Sequence, residues 1–168
     1  APTGEFTDAN AALAEGKRLM DENQTDQAIA TLKRAVELNP DLAEAYFHLG
    51  IAYDLMEMQN EQSGVVTNPT PETNSKSKNA TPKKTESEKA FEQAVKAYEK
   101  WLKANPKDDT AHYYLGRTYA KLMKDDEAEE AFQEAVELKP EDTEYQTELG
   151  AILIKLAQYR EAIKPLKK

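Results

Sequence analysis

The chain has 168 residues, 39% of them hydrophobic and 32% charged, with 31 acidic against 22 basic side chains and a formal net charge of −9. That balance argues against the phosphate-neutralising surface of a nucleic-acid binder and against attraction to anionic membranes; no apolar run approaches the roughly 18 residues of a membrane span, and none has the h-region of a secretory signal. Cysteine is absent, which removes disulfides, thiol nucleophiles and Cys-ligated metals and leaves the compartment open, cytoplasm or an exported mature domain alike.

Residues 1–8 read as a tail. From Ala9 onward four glycines keep a regular step: Gly16 and Gly50 are 34 residues apart, Gly116 and Gly150 are again 34 apart, and Gly50 and Gly116 are separated by 66. A recurring step of this length marks an array of helical repeats. The first unit, residues 9–42, reads Ala12-x-x-Glu15-Gly16-x-x-Leu19, then Ala28, Leu32, Ala35 and Pro40. Two helices are expected here. Gly16 and the alanines stand where the helices approach closely, the larger residues fill the space between layers, and Pro40 ends the second helix because proline disfavours the helical conformation in the residue before it.

The second unit starts at Ala43 with Tyr46-x-x-Leu49-Gly50-x-x-Tyr53, apolar at i, i+3 and i+7. Its first helix is expected to run through Tyr53 to Met58 or as far as Gln62, with Gly64 as its stop. Residues 63–85 are rich in Asn, Thr, Ser, Pro and Lys, and Val65 and Val66 are nearly their only large apolar side chains. Such a stretch cannot offset its ordering entropy and is expected to be a disordered insertion. Its lysines, Lys76, Lys78, Lys83 and Lys84, outnumber Glu72, so it reads either as a basic partner-contacting arm or as a tolerated loop expansion. Thr85-x-x-Glu88 is a capping-box pattern, which restarts a helix from Glu86 to about Ala104. Trp101 stands where other units carry Ala35 and Ala135 and is expected to fill a gap in the packing.

The third unit, 109–142, carries His112-x-x-Leu115-Gly116-x-x-Tyr119, then Ala128, Phe132, Ala135 and Pro140. His112 is expected in the core. The acidic run Asp125, Asp126, Glu127, Glu129 and Glu130 suits a solvated helix start and lacks the glycine and ligand spacing of a calcium loop. The fourth unit, 143–168, reads Gln146-x-x-Leu149-Gly150-x-x-Leu153, then Ala162 and Leu166, eight residues short of a full step. Its Ile152, Leu156 and Leu166 are expected to lack a cover.

This register resembles the tetratricopeptide-repeat family, whose pattern is W-x2-L-G-x2-Y, then A-x3-F, then P. The resemblance spans residues 9–168 apart from the insertion. It implies an all-α, right-handed superhelical solenoid of antiparallel helix pairs, three full repeats plus a truncated fourth. It further implies that the first helices of the pairs line a concave groove that receives a peptide or a partner helix. Carried over position by position, the groove residues are Leu13, Lys17, Met20, Phe47, His48, Ile51, Tyr113, Tyr114, Arg117 and Lys121. Leu13, Met20, Phe47, Ile51 and Tyr113 do not face the seam within a helix pair, so they are expected to form an exposed apolar patch framed by Lys17, Arg117 and Lys121. The expected partner is a protein or peptide with hydrophobic anchors and some acidic character.

Chaperone adaptors of the family hold a C-terminal carboxylate with a Lys/Asn/Asn/Lys/Arg clamp. Those positions here hold Leu13, Lys17, His48, Thr110 and Tyr114, or, one repeat later, Phe47, Ile51, Tyr114, Glu144 and Glu148, and neither set supplies the clamp. No nucleophile motif accompanies His48 and no phosphate-binding glycine loop is present, so neither catalysis nor a cofactor or metal is expected. The expected function is a non-catalytic interaction module in a scaffold or adaptor role. Two alternatives are self-association through the open C-terminal repeat and a regulatory segment of a larger protein.

Overall fold

Asp8 opens the first helix by accepting a hydrogen bond from the Asn10 amide at 2.9 Å, which satisfies one of the amides a helix start leaves unpaired. The computed structural model describes residues 6–64 and 83–163, with side chains as far as residue 160. Among the described residues there are seven helices and no strand: α1 (Ala9–Asp21), α2 (Thr25–Leu38), α3 (Ala43–Gln62), α4 (Glu86–Ala104), α5 (Asp109–Lys121), α6 (Asp125–Leu138) and α7 (Thr143–Ile163). None of them is long and apolar enough to cross a membrane. The bulk of the insertion, residues 65–82, lies outside the described residues, as do residues 1–5 and 164–168.

The turns follow from local chemistry. Asn23 and Met123 hold the same place in their repeats, and both adopt a left-handed backbone, φ 58° and 59°. Asparagine tolerates that conformation, whereas methionine adopts it at a cost of about 1 kcal/mol. Asn39 and Lys139, each followed by proline, leave the helical region and end α2 and α6. At the end of α3, Gly64 has φ 69° and its amide bonds to the carbonyl of Glu61, the glycine stop expected there. At the start of α4 the capping box is reciprocal: the Thr85 amide donates to Glu88 Oε2 at 3.0 Å, and the Glu88 amide donates to Thr85 Oγ1 at 3.1 Å. α4 therefore starts at Glu86 on its own resources.

The chain divides into two compact units, Ala1–Ala90 and Phe91–Lys168, with the boundary inside α4. In the first, α1 and α2 form a hairpin and α3 packs on both. Its core joins Leu13, Ile29, Leu32, Leu49 and Tyr53 around a set of buried alanines. In the second, α5 and α6 form the equivalent hairpin and α7 packs against α6, around Tyr113, Phe132, Tyr145, Ile152 and Leu156. Close approach explains the glycines of both hairpins. A Cβ at Gly16 would meet Leu32 at 2.6 Å, and one at Gly116 would meet Phe132 at 2.7 Å.

The fourth repeat departs from expectation. Ile152 and Leu156 are buried against the α5–α6 core, so they do not lack a cover. Of the expected uncovered residues, Leu166 lies outside the described ones. α7 has 21 residues where α1 and α5 have 13, because it runs straight through the position at which Asn23 and Met123 turn the chain. The reason lies downstream. After a turn at that point only a few residues would precede Pro165, too few for a second helix like the 14-residue α2 and α6.

Candidate functional site

The first helices of the repeats are α1, α3, α5 and α7, and the residues expected to line a groove divide between the two units. Leu13, Lys17, Met20, Phe47, His48 and Ile51 belong to the first, on α1 and α3; Tyr113, Tyr114, Arg117 and Lys121 belong to the second, on α5.

Burial corrects the expectation of an exposed apolar patch. Leu13, Phe47 and Tyr113 are buried, Phe47 to 1% exposure. Within its own unit each is core rather than surface, because the neighbouring helices of that unit pack closely enough to bury side chains off the hairpin seam. Truncating Phe47 would cost about 3–5 kcal/mol of stability, so it cannot report on binding alone. In the first unit Met20, His48 and Ile51 are half-buried; in the second, Tyr114 and Arg117 are half-buried and Lys121 is exposed.

Lys17 is a strut rather than an outward cation. Its Nζ lies 2.7 Å from Glu44 Oε1, linking α1 to α3, and His48 Nε2 lies 3.5 Å from the same oxygen. Hydrogen bonding from His48 and from Lys17 outweighs partial burial and holds the Glu44 carboxyl at about 2. The second unit repeats the device at the same repeat position. Glu144 on α7 accepts a hydrogen bond from the Tyr113 hydroxyl of α5 at 2.6 Å. Burial, and then this bond to a carboxylate, push the Tyr113 phenol well above its ordinary value of 10.

Around Tyr113 the second unit builds an aromatic cluster. Tyr145 stacks on Tyr113 with ring centroids 4.8 Å apart, and Tyr114 meets it edge-on at 5.4 Å. The Tyr145 hydroxyl donates to Asp109 Oδ2 at 2.8 Å. Burial, with Thr110 opposing and Asp109 assisting, pushes its phenol up to about 12. The Arg117 guanidinium sits 5.6 Å from the Tyr113 ring centre and 5.8 Å from that of Tyr114, within range of a cation–π interaction. The product is a rigid aromatic floor with a positive charge across it. Sequence reasoning missed Tyr145. The signal was available, since Tyr145 stands where the other three repeats carry Ala11, Ala45 and Ala111.

Three other expectations are corrected. Trp101 does not fill a packing gap; it is half exposed, at 50%, and its Nε1 donates to Asp108 Oδ2 at 2.8 Å. Asp108 is the N-cap of α5 and accepts from the Ala111 amide through its other oxygen. Trp101 thus ties the end of α4 to the start of α5 by a hydrogen bond. His112 lies at the edge of the core rather than within it, half-buried, with Nε2 donating to the Pro106 carbonyl at 2.9 Å. The acidic run does form the first turn of α6, but Asp125 is buried and bonds Lys155 of α7 at 2.7 Å, so it is not wholly solvated.

Comparison with known proteins follows this geometry. Residues 16–56 match the family model described as TPR repeat, and residues 86–143 match that described as Tetratricopeptide repeat. No curated protein matches the sequence. Among solved structures, the first TPR of Spaghetti (RPAP3) bound to the HSP90 peptide SRMEEVD is 18% identical, with a TM-score of 0.55 over 91% of this chain and 96% of that one. The Sgt2 TPR domain from Aspergillus fumigatus is 16% identical, with a TM-score of 0.56 over 96% and 88%. YrrB, described as a TPR protein with an unusual peptide-binding site, is 25% identical, with a TM-score of 0.52 over 94% of this chain and 65% of its own.

Proposed function

Since this chain belongs to the tetratricopeptide-repeat family, we propose that it is a protein-interaction module that holds a peptide or partner helix against the faces of its first helices, in a scaffold or adaptor role. The observation that carries the reading is the arrangement on α5: Arg117 lies over the Tyr113 and Tyr114 rings, on a floor stiffened by Tyr145 and Glu144. Rigid aromatic side chains with an adjacent arginine are the groups that dominate binding energy at interfaces. Tyr114, Arg117 and Lys121 are the contact residues in the second unit, and Met20, His48 and Ile51 are those in the first. Leu13, Lys17 and Phe47 support the contact residues of the first unit, and Tyr113 supports those of the second. The partner segment carries an apolar or aromatic anchor beside a carboxylate.

Two of the similar structures are described by their peptide sites, one of them with a bound HSP90 peptide, which supports peptide binding as the general mode. The clamp positions of this chain hold other residues, so the peptide is gripped along its side chains rather than by its terminal carboxylate.

The test uses peptides selected by display against the protein. Tyr114→Ala and Arg117→Glu weaken them by about tenfold or more, equivalent to about 1.4 kcal/mol, with circular dichroism unchanged. Gln133→Ala, on the exposed face of α6, leaves binding intact. Amidating the peptide C-terminus changes affinity little. Selected peptides that bind the variants as well as they bind the unaltered chain would overturn the reading.

A further inference from the structure

The second unit carries a groove on the other side of α5. Leu115 and Tyr119 stand roughly 150° around that helix from Tyr114, Arg117 and Lys121, at about 100° per residue. Two open cavities, of about 450 and 470 Å³, lie there between α5 and the part of α4 that belongs to the same unit. Val95 of α4 and Leu122, the residue after α5, line the first; Leu102 and Leu115 line the second; Glu99 borders both. Where they meet, the Tyr119 hydroxyl donates to Glu99 Oε1 at 2.6 Å. The two helices therefore offer one register in opposite directions, Val95-x-x-x-Glu99-x-x-Leu102 against Leu115-x-x-x-Tyr119-x-x-Leu122, with apolar residues seven apart on either side of a polar centre.

The first unit holds the opposite charge at this centre. Lys33 and Tyr53 occupy the repeat positions of Glu99 and Tyr119. The Lys33 ammonium sits 5.7 Å from the Tyr53 ring centre, and Tyr53 is buried. In the second unit Tyr119 is half-buried and Glu99 is exposed. Burial, the bond to Glu99 and the charges of Glu99, Glu127 and Glu130 push the Tyr119 phenol well above its ordinary value of 10. The phenol thus keeps its one proton and commits it to Glu99, so an acidic visitor finds no donor at the centre. The exposed lysines of the groove, Lys96, Lys103 and Lys124, stand to either side.

We propose that this groove docks an amphipathic helix of a partner protein whose inner face carries an apolar, a basic and an apolar side chain at i, i+3 or i+4, and i+7. A helix laid along the groove has the same rise as its walls, so side chains seven residues apart are separated by about 10.5 Å and reach both cavities. The basic side chain midway meets Glu99, whose carboxylate accepts further hydrogen bonds beside that of Tyr119. The walls are helices with their backbone groups already bonded, so they offer an extended peptide no ladder to join, whereas a helix needs only side-chain contacts. The groove lies apart from the face of Tyr114 and Arg117, and the two readings stand independently.

The probe is a displayed library of single helices with one face randomised, selected against the whole chain carrying Tyr114→Ala and Arg117→Glu. Enriched helices carry arginine or lysine between apolar residues at the stated spacing. Glu99→Lys, which supplies the charge that Lys33 gives the first unit, weakens them by more than about tenfold with circular dichroism unchanged. Replacing the central basic residue of a selected helix by glutamate restores its binding to that variant. Tyr119→Phe removes the bridge, keeps the carboxylate and changes affinity little. Helices with an acidic or apolar centre, helices indifferent to Glu99→Lys, or a library that yields no binder would each overturn the proposal. None of these results bears on peptides of the first-helix face, which both substitutions of the selected chain disable.

Discussion

Glu44 and Glu144 occupy the same position in the second and fourth repeats, and each ties its helix to the first helix of the preceding repeat. The partner differs: an ammonium for Glu44 and a phenol for Glu144. The two bonds therefore respond differently to acid. The folded chain holds Glu44 at about 2, below its ordinary value of 4.5. A carboxyl whose value is depressed by folding contributes stability above its unfolded value and loses it as the pH falls toward the folded one. The contribution of the Glu44 carboxylate is thus present above a pH of about 4.5 and fades on acidification toward about 2. Glu44→Gln lowers the melting temperature at neutral pH, and its deficit relative to the unaltered chain narrows between about pH 5 and pH 3. Melting curves of both proteins across that range are the measurement, and a deficit that stays constant would show that the carboxylate charge plays no part. The same scale explains why the tyrosines of the second unit do not act as acids. Burial and neighbouring carboxylates push the Tyr113, Tyr119 and Tyr145 phenols upward, so each keeps its proton and serves as a donor.

Between helices the useful contrast is among the glycines. Gly16 and Gly116 lie in helices whose partners leave no room for a Cβ, and Leu32 and Phe132 beside them are fully buried. Gly150 has open space. Alanine is the better helix former by about 1 kcal/mol, but overpacking a close-packed core costs about 1–3 kcal/mol. Gly16→Ala and Gly116→Ala therefore destabilise the protein, while Gly150→Ala leaves it unchanged or stabilises it by up to about 1 kcal/mol. Denaturant unfolding of dilute protein separates the three, and equal effects at all sites would refute the assignment of close approach. The glycine ruler showed where hairpins form but could not show that one of its marks, Gly150, stands in open space. Trp101 teaches the same lesson from the other side. Its repeat position suggested core, yet its ring meets solvent and its nitrogen serves the cap of the next helix.

Over the whole molecule, the helix boundaries on either side of the insertion are set locally. Gly64 closes α3 through its own left-handed backbone, and Thr85 with Glu88 opens α4 through a reciprocal cap. Both boundaries are closed by hydrogen bonds among their own neighbouring residues. Replacing residues 67–80 by a short glycine–serine linker should leave helicity and melting temperature nearly unchanged, as measured by circular dichroism; a drop of several degrees would mean that the segment packs on the folded chain. Position in the repeat singled out Tyr114, Arg117 and Lys121, and the structure leaves the first two half-buried and the third exposed on α5. What position could not supply was depth, which depends on how closely the neighbouring helices approach. Leu13, Phe47 and Tyr113 share the expected face with them but lie beneath its surface.

The sequence by itself determined the helical repeat, the helix pairs, the caps and the proline stops, because each rests on a few neighbouring residues and a fixed spacing. Only the tertiary structure decided which side chains became floor and which became surface, that Lys17 and Lys155 are struts rather than outward charges, and that α7 runs on where its counterparts turn. Met123 and Ala157 hold equivalent positions, and neither is a favoured turn residue. The chain takes the left-handed conformation at Met123 because a full second helix follows and buries Phe132 against Gly116. At Ala157 the backbone instead stays helical, and α7 runs on to Ile163.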